Sequence, residues 1–245
     1  MGYWKWVGVL FSILPIMGSL GAVGGVSPIV RRIQVVSATP QTIRVGVLDT
    51  GFNPNFTDGR IKLCATGHFD VTSSKEGIYS TDPHGSLVAQ ALAEKLINVD
   101  YCLIIVTMNI KGMSTSTAKG IKYLMSIGVN IINLSINGDE VDYEEMQEIQ
   151  NFASSGAKLF IAAGNEDRDL NQVCLAYPSC YGVKGTMIVG ALTDGKRAEY
   201  SNYGNKVLLW EEGTIRVRGK DWNGTSFATP RAVSRYVRYL GSRAK

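Results

Sequence analysis

The sequence predicts an α/β fold: a doubly wound, mostly parallel sheet with helices on both faces. Three observations carry that expectation. Several short runs are apolar almost without interruption, as in strands buried on both sides of a parallel sheet. Segments with helical hydrophobic spacing lie between these runs. Polar clusters follow the ends of the runs, where an open α/β sheet collects its ligands.

The elements alternate along the chain. A strand is expected over residues 43–48, ending on Asp49-Thr50-Gly51. Leu87, Val88, Ala91, Leu92 and Leu96 then share one helical face. Strand 102–108, helix 114–127 and strand 129–136 follow. Tyr143, Met146, Ile149 and Phe152 mark the next helix face. Strands at 158–163, 186–191 and 207–210 precede a final helix over 226–240. Such alternation implies crossover connections and parallel pairing. No internal repeat, low-complexity segment or linker divides the chain, so residues 25–245 read as one domain.

Composition narrows the function. Of the 245 residues, 45% are hydrophobic and 19% charged, which suits a packed core and argues against disorder. The net charge of +4 comes from 25 basic and 21 acidic side chains spread along the sequence. No basic block is interleaved with aromatics, so nucleic acid is not an expected partner. A monomer is expected. There are two histidines, His68 and His84, and any histidine chemistry falls to one of them.

Residues 1–24 read as a signal peptide. Lys5 precedes an uncharged run over 7–30, whose second half holds Gly18, Gly21, Gly24, Gly25 and Pro28. The run is also long enough to span a bilayer, so an uncleaved anchor is the alternative. The protein is therefore expected to be secreted or held in the periplasm or cell envelope, touching a membrane only if this segment stays. Four cysteines in an exported chain suggest two disulfides. Of the three pairings, Cys174–Cys180 and Cys64–Cys102 are expected. The first pair encloses five residues, including Pro178, and the second brackets His84. Cys64 and His68 stand four apart, but no second Cys/His pair supports zinc.

Four segments sit at strand ends or helix starts: Asp49-Thr50-Gly51, Pro83-His84-Gly85-Ser86, Ala162-Ala163-Gly164-Asn165, and the stretch from Asn223 to Pro230 around Ser226. Each has an ordinary explanation alone. Asp49 suits a turn, Asp82 and Pro83 suit a helix cap and first position, and Ser226 suits a cap. The ordinary explanations do not account for all four in this order. The order Asp, His, Ser is one of three known orders for a serine-nucleophile triad.

On these residues the sequence resembles the subtilase family of serine peptidases. The likeness runs from about Ile43 to the end of the last helix. Gly224-Thr225-Ser226-Phe227-Ala228-Thr229-Pro230 is very close to the family's nucleophile motif. Asn133-Leu134-Ser135 resembles its substrate-pairing strand, and Tyr200-Ser201-Asn202-Tyr203-Gly204 another common segment. The resemblance implies a serine endopeptidase acting on peptides or proteins. Asp49, His84 and Ser226 would form the triad, Asn165 the oxyanion hole, and Ser135, Ile136 and Asn137 the substrate-binding strand. The sequence departs from the family at Ser86, Leu87 and Gln90 beside His84, and at Asn137, where a glycine is usual. An asparagine there would narrow the specificity pocket.

The chemistry fits the side chains. A serine hydroxyl needs a base within hydrogen-bond reach, which His84 supplies. Asp49 fixes the imidazole tautomer. The Asn165 amide and the Ser226 N–H suit a developing oxyanion. His68 is expected to be structural. Many subtilases hold calcium in a loop after the histidine helix. Only residues 97–101 link that helix to the next strand here, so no metal or other cofactor is expected. Only 48 residues precede Asp49, so folding without a pro-domain in the same chain is expected. The acids Asp139, Glu140, Asp142, Glu144, Glu145 and Glu148 suit a helix N-terminus, with an acidic rim selecting basic peptides as the sharper reading. Three other readings compete with this one. An inactive subtilase-fold binding module is favoured by Leu87, Gln90 and Asn137. An aspartic peptidase shares Asp49-Thr50-Gly51 but lacks a second such triplet. An α/β-hydrolase needs a second glycine in the nucleophile motif.

Overall fold

The computed structural model describes residues 33–39, 41–75, 77–108 and 113–243. The expected leader over 1–24 and its boundary with the domain lie outside the described residues. Among the described residues, no helix is long and apolar enough to cross a membrane.

Among the described residues, twelve strands and four α-helices follow one another. β1 (Ile33–Val36), β2 (Ile43–Asp49), β3 (Ile61–Cys64) and β4 (Phe69–Asp70) precede α1 (His84–Ala93). β5 (Tyr101–Thr107), α2 (Met113–Ser126), β6 (Ile131–Leu134), α3 (Tyr143–Ser154) and β7 (Lys158–Ala162) alternate through the middle. β8 (Thr186–Thr193), β9 (Lys196–Arg197), β10 (Leu209–Glu212), β11 (Thr214–Val217) and β12 (Lys220–Asn223) lead into α4 (Thr225–Arg243).

The main sheet runs β1-β3-β5-β2-β6-β7-β8-β10, with β4 on β5 and β9 on β8. All these pairs are parallel except β8 with β9. β11 and β12 form a separate antiparallel hairpin. The helix-bearing crossovers account for the parallel pairing. β2 lies centrally, paired to β5 on one side and β6 on the other. The strand order reverses there, and the crevice opens beyond the strand C-termini.

Period-two alternation splits the core. Val45, Val47, Leu103, Ile105 and Phe160 face α1 and α4, where Leu87, Leu92, Val233 and Val237 cover them. Leu48, Ile104, Val106, Ile132 and Leu159 face α2 and α3, against Ile121, Leu124, Ile149 and Phe152. Each fully buried Leu or Ile contributes about 1.5–3 kcal/mol. Both faces of the central strands are thus dry, which is why they read as continuous apolar runs. The mostly parallel doubly wound sheet is the fold class expected from the sequence.

Two disulfides occur. Cys64 of β3 joins Cys102 of β5, with Cα atoms 4.9 Å apart, inside the core on the α2–α3 face. Cys174 joins Cys180 across a half-exposed loop, with Cα atoms 5.6 Å apart.

Candidate active site

Asp49 ends β2, and its side chain is wholly buried. Its Oδ1 accepts the Thr50 N–H at 2.7 Å and the His84 Nδ1–H at 2.7 Å. His84 opens α1, and Asp82 Oδ1 accepts its backbone N–H at 2.8 Å; Pro83, expected at the first helical position, stands at the N-cap instead, so Asp82 lies one residue before the cap. Thr50 Oγ1 accepts the Gly85 N–H at 3.0 Å, so the helix start is sewn onto the turn after β2. Gly85 must be glycine for this approach, because a Cβ would collide with the Gly51 carbonyl oxygen.

With Nδ1–H committed to Asp49, the lone pair of neutral His84 lies on Nε2. Burial lowers the imidazole pKa, but the Asp49 charge and hydrogen bond, joined by Asp82, outweigh it and hold it above the ordinary histidine value. The His84 side chain is 31% exposed, so it meets the crevice.

Ser226 is the second residue of α4 and is 9% exposed. Its backbone N–H lies in the first turn and has no intrahelical acceptor. Four residues later, Pro230 lacks the N–H that would bond to the Ser226 carbonyl. The Ser135 hydroxyl donates to that carbonyl instead, at 2.9 Å. Ser226 Oγ in turn donates to the Ser135 carbonyl at 3.0 Å. Asn133 Nδ2 donates to Ser135 Oγ at 3.0 Å. The end of β6 is thereby clamped to the start of α4 by two reciprocal bonds. The Ser226 hydroxyl points to Ser135, and no hydrogen bond joins it to His84 in this structure.

Asn165 follows β7 and is exposed. Its Oδ1 accepts the Thr225 N–H at 2.8 Å and the Thr225 hydroxyl at 3.0 Å. Thr225 Oγ1 accepts the Gly164 N–H at 3.2 Å. The amide orientation is set by the oxygen, which leaves the Nδ2 donors turned away from Thr225. Gly164 holds φ +100°, and a Cβ there would strike Asn202 Nδ2.

The structure also places the substrate-strand candidates. After Leu134 the chain leaves the β6 ladder, so Ser135, Ile136 and Asn137 lie beyond the sheet. Asn137 Nδ2 donates to the Ala162 carbonyl and to Ser179 Oγ, both at 2.9 Å. It thus bridges the β6 extension, the end of β7 and the Cys174–Cys180 loop. Gly138 adds two backbone bonds to Tyr177 in the same loop, each 2.8 Å.

The residues unusual beside His84 turn inward. Ser86 Oγ accepts the Asn53 N–H at 2.9 Å. Leu87 joins the core. Gln90 Oε1 accepts the N–H groups of Asp58 and Gly59 at 2.9 and 3.3 Å, and its amide donates to Asp58 at 2.6 Å. His68 lies away from the crevice: Nε2 bonds the Cys64 carbonyl at 2.9 Å and Nδ1 accepts the Ile105 N–H at 3.0 Å. Among the described residues, no group of three or more His, Cys, Asp or Glu side chains is placed to hold a metal ion.

Two contacts of this assembly lie outside what the sequence motifs indicate, although both residues belong to them. Thr225 orients Asn165, and the Ser135 hydroxyl completes the broken turn of α4. Pro230 was the signal for the second, since its missing N–H demands a substitute donor near Ser226.

Comparison with known proteins agrees with the fold. Residues 41–238 match the subtilase family. Subtilisin DY of Bacillus licheniformis is 26% identical over 219 residues, covering 81% of this chain and 77% of the relative. An intracellular serine protease of Paenibacillus polymyxa is 31% identical over 226 residues, covering 82% and 68%. A cold-adapted subtilisin-like serine proteinase superposes with a TM-score of 0.66 at 21% identity, covering 84% of this chain and 78% of that one. With the fold, the matched span and the relatives in agreement, the chain belongs to the subtilase family of serine peptidases.

Proposed function

We propose that this protein is a serine endopeptidase that hydrolyses peptide bonds through an acyl-enzyme. The observation that carries the reading is the 2.7 Å bond between a wholly buried Asp49 and His84 Nδ1, which leaves Nε2 as the acceptor facing the crevice. Ser226 leaves the Ser135 carbonyl and turns its proton to Nε2 as its oxygen attacks the substrate carbonyl carbon. The new oxyanion accepts from Asn165 Nδ2 and the Ser226 N–H. The imidazolium passes its proton to the leaving amine as the C–N bond breaks. Water then attacks the Ser226 ester, giving its proton to Nε2, and that proton returns to Ser226 as the acid departs.

The two disulfides support an oxidising destination. We read residues 1–24 as the export leader, cleaved or kept as an anchor, and 25–245 as the peptidase domain. A second reading, a subtilase fold that binds peptides without turnover, is favoured by the Ser226–Ser135 bond. Pre-steady-state hydrolysis of an activated ester separates the two. A burst of released alcohol equal to the enzyme concentration supports acylation; a strictly linear course at background rate supports the binding module.

A further inference from the structure

The parallel strands begin along the edge of the sheet opposite the crevice. α4 runs against them. Ser226 opens it beside the end of β6, and its last turn reaches the segment before β5, where a Cβ at Gly241 would stand 3.2 Å from Val99. At the rise of an α-helix, Arg243 stands about 25 Å from Ser226. Near this last turn three open cavities, of about 660, 320 and 370 Å³, share Arg235 in their walls. Arg238 borders two of them, and so does Tyr239. One is mainly apolar, walled by Phe160, Met187 and Leu209. Ile97 and Tyr239 are 76% and 50% exposed on the same face. Adjoining apolar surface left in solvent marks an interaction face.

The face is also cationic. α4 carries four arginines and no acid. Lys95, Lys158 and Arg238 line the cavities, and Arg243 lies over the Tyr239 ring at 5.1 Å. None of these four has a carboxylate partner among the described residues. Arg231 and Arg235 are paired, with Glu94 at 3.2 Å and Glu211 at 3.0 Å. Glu212 is the one lining carboxylate outside these pairs, so the cations are in surplus. The chain also enters the domain along this edge. β1 starts on Ile33, opposite Ile61 of β3, and the next residue of β3, Lys62, donates to the Val99 carbonyl at 3.3 Å. In the sequence, the uncharged run 7–30 and Arg31-Arg32 lead directly into Ile33. An apolar segment closed by two arginines thus joins the domain at the edge that bears the exposed cations and apolar side chains.

We infer that this face docks on an anionic lipid surface, with its lysines and arginines toward the lipid phosphates and Ile97 and Tyr239 in the headgroup layer, so that the crevice holding Ser226 faces away from the membrane. Docking needs no turnover, so its test is independent of the endopeptidase reading. The full chain is sedimented with phosphatidylcholine vesicles, with and without phosphatidylglycerol. The anionic-over-neutral partition ratio is expected at about a hundredfold in low salt and to shrink as salt rises. The triple variant Lys95→Gln, Arg238→Gln, Arg243→Gln is expected to lower that ratio about tenfold or more, since each cation near an anionic surface is worth about fivefold. Residues 1–32 are the same in every variant, so the comparison reads the face itself. A control triple, Lys119→Gln, Lys196→Gln, Lys220→Gln, removes the same charge elsewhere and should keep the ratio within about twofold. All six positions are exposed and tolerate change. Equal partition of wild type into both vesicles, or a control triple that loses as much as the face triple, overturns the inference. A wild-type oligomer that the face triple dissolves, with vesicle binding unchanged, also overturns it and assigns the face to a second copy of the chain.

Discussion

The two halves of the candidate site are held in different ways. The acid–base half is built on charge. Asp49 is fully buried, bonded to His84 at 2.7 Å, and its partner opens a helix with its backbone N–H held by the Asp82 carboxylate. The nucleophile half is built on neutral hydroxyl, amide and carbonyl bonds among Ser135, Ser226, Thr225 and Asn165. Charge-assisted bonds are about twice as strong as neutral ones, so the first half stands assembled and the second can rearrange. The Ser226 hydroxyl accordingly rests on the Ser135 carbonyl rather than on His84.

Breaking the nucleophile half at its centre has the largest expected effect. Ser226→Ala should lower kcat about a million-fold, the scale of losing the nucleophile in a subtilisin. Its melting temperature should stay within a few degrees of wild type, which calorimetry checks. Breaking the charged half comes next. Asp49→Asn should cost about 10⁴-fold in kcat by placing the imidazole in the wrong tautomer. Wild-type turnover in that variant would mean that another group orients His84.

Asn165→Ala should lower kcat by about 10²–10³-fold with little change in KM, again the scale seen in a subtilisin. Thr225→Val sharpens this result. It removes the hydroxyl that bonds Asn165 Oδ1 but keeps the side-chain volume. A fall in kcat of about fivefold is expected, recovered by Thr225→Ser, because one neutral hydrogen bond is worth about 1 kcal/mol.

The smallest effect is on pH. His84 must be neutral to act as base, and its pKa lies above the ordinary value of 6.5. The acid limb of kcat/KM should therefore fall above that value. The same raised pKa stabilises the folded state fully below the unfolded histidine value. That contribution disappears as pH rises through the folded value. Equilibrium unfolding of wild type and His84→Ala across this window checks the sign.

Much of this was legible in the sequence because burial on both faces leaves a plain signal. β2, β5 and β7 read as apolar runs since both core clusters press on them. β10 was read too early, at 207–210, because Glu211 and Glu212 hide its second half. β1 and the β11–β12 hairpin were not read at all, being edge or peripheral strands with exposed residues. At the site, Asp49 closes β2, His84 opens α1 and Ser226 lies in the first turn of α4, element ends that glycine or proline beside them marks in the sequence. Thr225 and the Ser135 hydroxyl act across 60 and 91 residues of sequence, a separation that local pattern does not encode. The reach of Asn137 to Ser179 spans 42 residues and depends on a loop shaped by its disulfide.

We propose Ser226 as an activated nucleophile, and covalent labelling puts that assignment to trial. The folded protein is treated with a fluorophosphonate, digested and mapped, with Ser226→Ala and Asp49→Asn alongside. The account predicts one adduct, on Ser226, absent from Ser226→Ala and formed far more slowly in Asp49→Asn. Intact wild-type protein that stays unlabelled, or an adduct on any other residue, would contradict it.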